Sequence, residues 1–267
     1  MQACPKLKER SAEQIARFLI RNYNEEKVKG IVEEMEGWNF KKDSLTKDKN
    51  NLFKFIVLAA YDRQPFDRPD YFSVWERSDP DSVYSVLERN GILDLEKVRK
   101  LSEQEIDAIL RKCVAHKLHL HNTSMKNEAI GTRFAKTFKD IAQNIEDISE
   151  SLSNVRSGLD VMRLHQELCK IHGIKQTIAS KFVMYTVRDL GIGNVSPSEL
   201  DLVSGHLLGE WHNQKWAKRL EDPSLGGRRG LLKEIVQHLK SDPMAIDYFW
   251  TLDREYCSKG RCQECAL

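Results

Sequence analysis

Met162 to Asp201 reads MRLHQELCKIHGIKQTIASKFVMYTVRDLGIGNVSPSELD. Leu164, Leu168 and Ile171 recur at helical spacing, and so do Ile178, Phe182 and Tyr185 further on. Between these segments lies His172-Gly173-Ile174-Lys175-Gln176, where Gly173 gives the backbone freedom for a sharp turn. Such a turn leaves the first amides of the second helix pointing outward. Exposed amides at a helix start attract phosphate, and Lys175 adds a positive charge. The same pattern also suits a plain helical hairpin packed in a bundle. A carboxylate, Asp201, follows; Ser196, Ser198 and Asp201 also stand where the next helix could be capped.

Working outward, the chain of 267 residues is long enough for one large domain or two small ones. Residues 11 to 36 read as one or two helices, with Ser11 and Gln14 in capping-box positions. Gly37 to Asn51 is polar and rich in lysine, and reads as a connection. Leu52 to Tyr61, LFKFIVLAAY, is apolar almost throughout and predicts a buried helix ending in Asp62-Arg63-Gln64-Pro65-Phe66. Short helices are expected between Pro69 and Leu110, with a cap at Ser102. Lys126 to Ile148 fits a long amphipathic helix, and Glu150 to Gly158 a loop. No segment alternates cleanly in the manner of a strand, and no long repeat appears, so the expected fold is all-α.

Composition limits the partners. With 42 Lys plus Arg against 40 Asp plus Glu, the net charge of +2 does not announce a polyanion, although a local basic patch remains open. Trp211 to Lys240 contains the best such patch, Gly226-Gly227-Arg228-Arg229-Gly230, a basic turn suited to a phosphate backbone. No apolar run approaches the roughly 18 residues of a membrane span, and the start MQACPKLKER lacks a signal-peptide centre. A protein without a membrane partner, inside the cell (cytoplasm, nucleoid or nucleus) and monomeric, is expected.

Of six cysteines, Cys257, Cys262 and Cys265 cluster near the end. In a reducing compartment that spacing points to a metal centre, with zinc suited on chemistry alone. Three reduced surface thiols are the plainer reading. His116, His119 and His121 are read as a surface loop rather than a second metal site.

Taken together, these residues resemble the helix-hairpin-helix DNA glycosylases, the superfamily that includes endonuclease III and the MutY-like adenine glycosylases. Leu52 to Gln64 resembles the family's early buried helix ending in a glutamine. Ile171 to Phe182, IHGIKQTIASKF, resembles its hairpin; Leu200-Asp201 resembles its catalytic aspartate; and the closing cysteines resemble its cluster loop. The resemblance spans roughly residues 45 to 265.

It implies a two-lobed helical fold, with a barrel at 50–190 and a second lobe from 1–49 and 191–267. It also implies base excision repair on double-stranded DNA carrying a modified or mispaired base. Asp201 would be the catalytic carboxylate, with Gln64, Gly173, Lys175, Arg228 and Arg229 contacting DNA. Cys257, Cys262, Cys265 and, as the fourth ligand, Cys4 would hold a [4Fe-4S] cluster, with zinc as the alternative.

The departures from the family pattern are specific. Lys175 replaces the second hairpin glycine, Val203 replaces the histidine two residues past the aspartate, and Asp189 is a rival to Asp201. Strand-cleaving members carry a lysine nucleophile where this chain has Thr177. A monofunctional glycosylase is therefore expected, with a bifunctional glycosylase/lyase or a non-catalytic DNA-binding protein as alternatives. Trp38, Phe66, Tyr71 and Trp75 are candidates for stacking on a base, with nothing to choose among them.

Overall fold

A computed structural model describes residues 10–28, 35, 39–61, 80, 82–114, 130–207, 220, 221, 223, 228–261, 263–265 and 267. Among them there is no strand, and the all-α expectation holds. No helix of the described residues is long and apolar enough to cross a membrane. The chain forms two compact units, one from Met1–Glu34, Arg156–Met162 and Met184–Leu267, the other from Met35–Val155 and Arg163–Val183.

The first unit starts with α1 (Ala12–Asn22), whose start is closed by the expected box. Ser11 Oγ accepts from the Gln14 amide at 3.2 Å, and Gln14 Oε1 accepts from the Ser11 amide at 2.9 Å. Ile15, Ala16, Phe18 and Leu19 form its buried stripe.

The second unit opens with α2 (Lys42–Lys47) and α3 (Lys49–Tyr61). The stretch read as a connection thus contains a helix. Its one buried residue is Leu45, too little apolar pattern for a helical period to show. α3 is the buried helix expected, with Leu52, Phe53, Ile56 and Val57 wholly enclosed. After α4 (Val83–Arg89) and α5 (Leu95–Lys100) comes α6 (Glu103–Val114). Ser102 and Glu105 close its start reciprocally at 3.2 and 2.7 Å, and the donated backbone hydrogen bond holds the Glu105 carboxyl below its ordinary pKa.

α7 (Ile130–Ser153) packs against α3, α5 and α6. Its stripe of Phe138, Ile141, Ile145 and Ile148 continues to Leu152, which carries the helix past Glu150 into residues expected to be a loop. Phe53 meets Phe138 with ring centroids 6.3 Å apart, and Phe55 meets Phe182 at 5.5 Å. Lys49 and Arg99 both pair with Glu146 on the surface, and those hydrogen bonds, Lys49 first, lower its pKa.

α8 (Gly158–Lys170) and α9 (Gln176–Val183) follow, then a π-helical turn, Met184–Asp189. Next come 3-10 turns at Ile192–Asn194 and Pro197–Leu200 and the single turn α10 (Asp201–Ser204). In the first unit, α11 (Leu231–His238) packs on α1, and Phe18 meets Tyr248 of α12 (Tyr248–Leu252) edge to face at 6.2 Å.

An ion centre lies inside this first unit. Arg188 places Nη1 2.8 Å from Asp189 Oδ1, and Nε 3.0 Å from Asp242 Oδ1, while Nη2 pairs with the other Asp242 oxygen. The three side chains are 4%, 0% and 8% exposed, so these charges have little water to screen them. The guanidinium sits 4.0 Å from the Tyr23 ring centroid, and Tyr23 Oη donates to Asp189 Oδ2 at 3.2 Å. Burial works against the Arg188 charge, but the Asp242 bond and the neighbouring negative charges outweigh it, so its pKa is raised. Asp189, the rival carboxylate, is thereby enclosed by Arg188 and Tyr23, with its side chain 0% exposed.

Burial, then the Asp189 charge, push the Tyr23 hydroxyl well above its ordinary pKa of 10.0. A raised folded-state pKa gives a stabilising contribution that is complete below the unfolded value and is lost as pH rises toward the folded one. Melting followed against pH should therefore show an alkaline loss above about pH 10 in the wild type. That loss should be smaller in Tyr23→Phe.

Candidate DNA-binding hairpin and catalytic carboxylate

The hairpin joins α8 to α9 within the second unit. Leu164, Leu168, Ile171, Ile174, Ile178 and Phe182 are buried, the apolar stripes expected of the two helices that flank the turn. The Ile174 amide donates to Ile171 O at 3.1 Å, and Gly173 turns the chain with φ of +87°. A side chain there would be strained, and its Cβ would fall 2.4 Å from Thr137 Oγ1. Gly173→Ala should destabilise the protein by about 1–3 kcal/mol in urea unfolding. A cost near zero would show that the turn relaxes freely.

Two helices hold the turn. From α7, the Thr137 hydroxyl donates to His172 O at 2.8 Å, and Asp140 Oδ2 accepts from the His172 amide at 2.9 Å. From α8, His165 Nε2 lies 3.1 Å from both Gln176 O and Ser180 Oγ. Because a carbonyl only accepts, that nitrogen carries the proton, and Nδ1 lies 3.8 Å from the Cys169 sulfur. Burial raises the Cys169 pKa, with the Lys175 charge pulling the other way, which keeps it a thiol.

The result is a helix start whose Lys175, Gln176 and Thr177 amides donate to no acceptor among the described residues. Lys175 and Gln176 are exposed beside them, and Thr177 is half-buried. Amides at a helix start beside a lysine are groups that an anion could engage, although the Asp140 carboxylate stands 2.9 Å from the neighbouring His172 amide.

Asp201 belongs to the first unit. Gly191 and Gly193 adopt positive φ as the chain leaves the π-helical turn. Glu199 Oε2 then accepts from the Ser196 amide at 3.2 Å around Pro197–Leu200, so it is Glu199 and not Asp201 that caps this turn. Asp201 stands exposed at the first position of α10, accepting from Ser204 Oγ at 3.4 Å. Val203 is buried, so no second polar group stands at the position where the resembled family has histidine. A groove of about 380 Å³ adjoins Ser204 and is lined by Leu232, Val236, Leu239, Pro243 and Ile246. None of these is aromatic, so the groove offers no face on which a base would stack.

The basic turn is less positive than its sequence suggests. Arg228 pairs with Glu234 at 2.7 Å, and the Leu232 amide at the start of α11 already donates to Glu221 Oε1 at 3.1 Å. Arg229 is exposed. Of the cysteine set, Cys257 is half-buried and Cys265 buried, and neither is in a disulfide among the described residues. Between them Gly260 has φ of +70° and the Arg261 amide donates back to Tyr256 O at 2.8 Å, curling the loop. Cysteine sulfur is the donor type that an iron-sulfur cluster or zinc takes, and Cys257 and Cys265 stand on either side of this curled loop. Cys4 and Cys262 lie outside the described residues, as do Gln64, His116, His119, His121, Trp38, Phe66, Tyr71 and Trp75. Among the described residues, no group of three or more metal-binding side chains comes together.

No family model, no curated protein and no solved structure matches the chain.

Proposed function

We propose that this chain is a DNA glycosylase of base excision repair, which grips a phosphate of double-stranded DNA with its hairpin and hydrolyses the bond between a modified or mispaired base and its sugar. The observation that carries the reading is the Gly173 turn with its three open amides and exposed Lys175. Any helix start leaves its first amides to water or a ligand, and a phosphate would satisfy these three and the helix dipole together, with Lys175 adding its charge.

Asp201 supplies the chemistry. Its base target is reached only after the nucleotide turns out of the stack, at a cost of about a few kcal/mol. Loss of the base builds positive charge on the sugar, and a carboxylate nearby stabilises that charge while orienting or deprotonating a water. Thr177 has no amine with which to form a Schiff base, so the product is an abasic site in an uncut strand. The two-lobed glycosylase arrangement and Gln64 as the wedge belong to this reading. Cys4, Cys257, Cys262 and Cys265 would hold a [4Fe-4S] cluster, which supplies a rigid, charged loop without entering the reaction. Zinc on the same thiols is the alternative.

Binding of a labelled duplex should weaken with salt, and Lys175→Ala should reduce the log–log salt slope by about 1 by removing one phosphate contact. An unchanged slope with unchanged affinity would remove the hairpin from the DNA interface.

A further inference from the structure

The two contacts from α7 to the hairpin meet at one peptide. Thr137 and Asp140 stand one helical turn apart, and the first donates to the carbonyl of His172 while the second accepts from its amide. Both ends of one residue's backbone are thereby fixed to a single helix. Thr137 is 5% exposed, and its Oγ1 is also the atom closest to where a side chain on residue 173 would fall. The Nδ1 atom of the His172 ring is not part of this grip, since it is buried with no hydrogen-bond partner among the described residues.

We propose that Thr137 and Asp140 are the positioning residues of the DNA-binding hairpin, a clamp on the His172 peptide that holds the Lys175, Gln176 and Thr177 amides in register for phosphate. The inference rests on the hairpin reading above. An acidic residue beside an anion site is at first sight misplaced, because its charge opposes phosphate. Its place there makes sense if the oxygen, and not the charge, is what the turn uses. A hydrogen bond from a backbone amide to a carboxylate is also stronger and shorter than one to a neutral acceptor, which suits a fixed register.

This reading sets two Asp140 variants in opposite directions. Asp140→Asn keeps an acceptor oxygen and removes the repelling charge, so duplex affinity should equal or exceed that of the wild type. Asp140→Ala removes the charge and the acceptor together, and affinity should fall about tenfold, with a smaller salt slope. Were Asp140 only a repelling charge, both variants would bind more tightly. Thr137→Val, which keeps the volume, should weaken binding in the same way as Asp140→Ala, and Thr137→Ser should restore it.

The full-length chain and its variants would be titrated with one duplex across a salt series, with amide hydrogen exchange at residues 172–177 followed alongside. Faster exchange there in Thr137→Val and Asp140→Ala, together with weaker binding, is the expected result. Wild-type affinity and slope in both variants would overturn the inference while leaving the hairpin reading intact. A wild type whose binding is insensitive to salt would overturn the hairpin reading and the clamp with it. Should Asp140→Ala fail to fold, Thr137→Val and Asp140→Asn still decide the matter, because the first must weaken binding and the second must not.

Discussion

Replacing Arg188 with methionine is expected to lower folding stability by about 3–5 kcal/mol, read from the midpoint of urea unfolding at neutral pH. Methionine fills much of the space, so the loss comes from charge. Asp189 and Asp242 would remain as buried carboxylates, 0% and 8% exposed, with their shared cation gone. The Tyr23 hydroxyl still reaches Asp189, but Asp242 loses both of its Arg188 bonds. The size of the effect reflects the penalty for an uncompensated charge and not the net worth of the ion pairs. Replacing Arg188, Asp189 and Asp242 together by apolar residues of similar volume should therefore cost much less than the single change. A single-variant loss below about 1 kcal/mol would mean that water reaches the centre.

Asp201→Asn is expected to slow base release by at least about 10²-fold while leaving duplex affinity little changed. The amide has the shape of the carboxylate but no charge with which to stabilise the cationic sugar, and it is a poor base toward water. Asp201 is exposed and, among the described residues, its carboxylate makes a single 3.4 Å contact with Ser204, so the substitution should alter stability by no more than about 0.5 kcal/mol. Lost activity in a protein that melts normally then reports on chemistry alone. Asp189→Asn makes the contrasting control, since its effect should fall on stability.

The elements that could be read from sequence were those with a strong local cause. α3 announces itself as a continuous apolar run, α1 by Ser11 and Gln14 beside a periodic stripe, and the hairpin by Gly173 between two such stripes. α2 could not be read, because a polar helix held by Leu45 alone carries no period. The end of α7 was misplaced because Glu150 and Ser153 are polar on the outer face while Leu152 continues the inner one.

What sequence left hidden is long-range. Nothing local ties Arg188 to Asp242, Thr137 to His172 or His165 to Ser180, and these contacts decide which polar residues are structural. Asp189 illustrates the point. Its place after the hairpin in sequence makes it a rival to Asp201, and its pairing with Arg188 and Tyr23 shows a structural role that no local pattern announces. The basic turn illustrates the converse, since Glu221 and Glu234 offset the charge that Arg228 and Arg229 present as a string of letters.

The central claim is tested most directly by incubating the wild-type protein with a panel of duplexes, each carrying a single modified or mispaired base, and measuring free base and alkali-labile abasic sites. The account predicts that at least one duplex yields both in equal amounts, with the strand uncut until alkali is added. Binding to every duplex without any abasic product would contradict it.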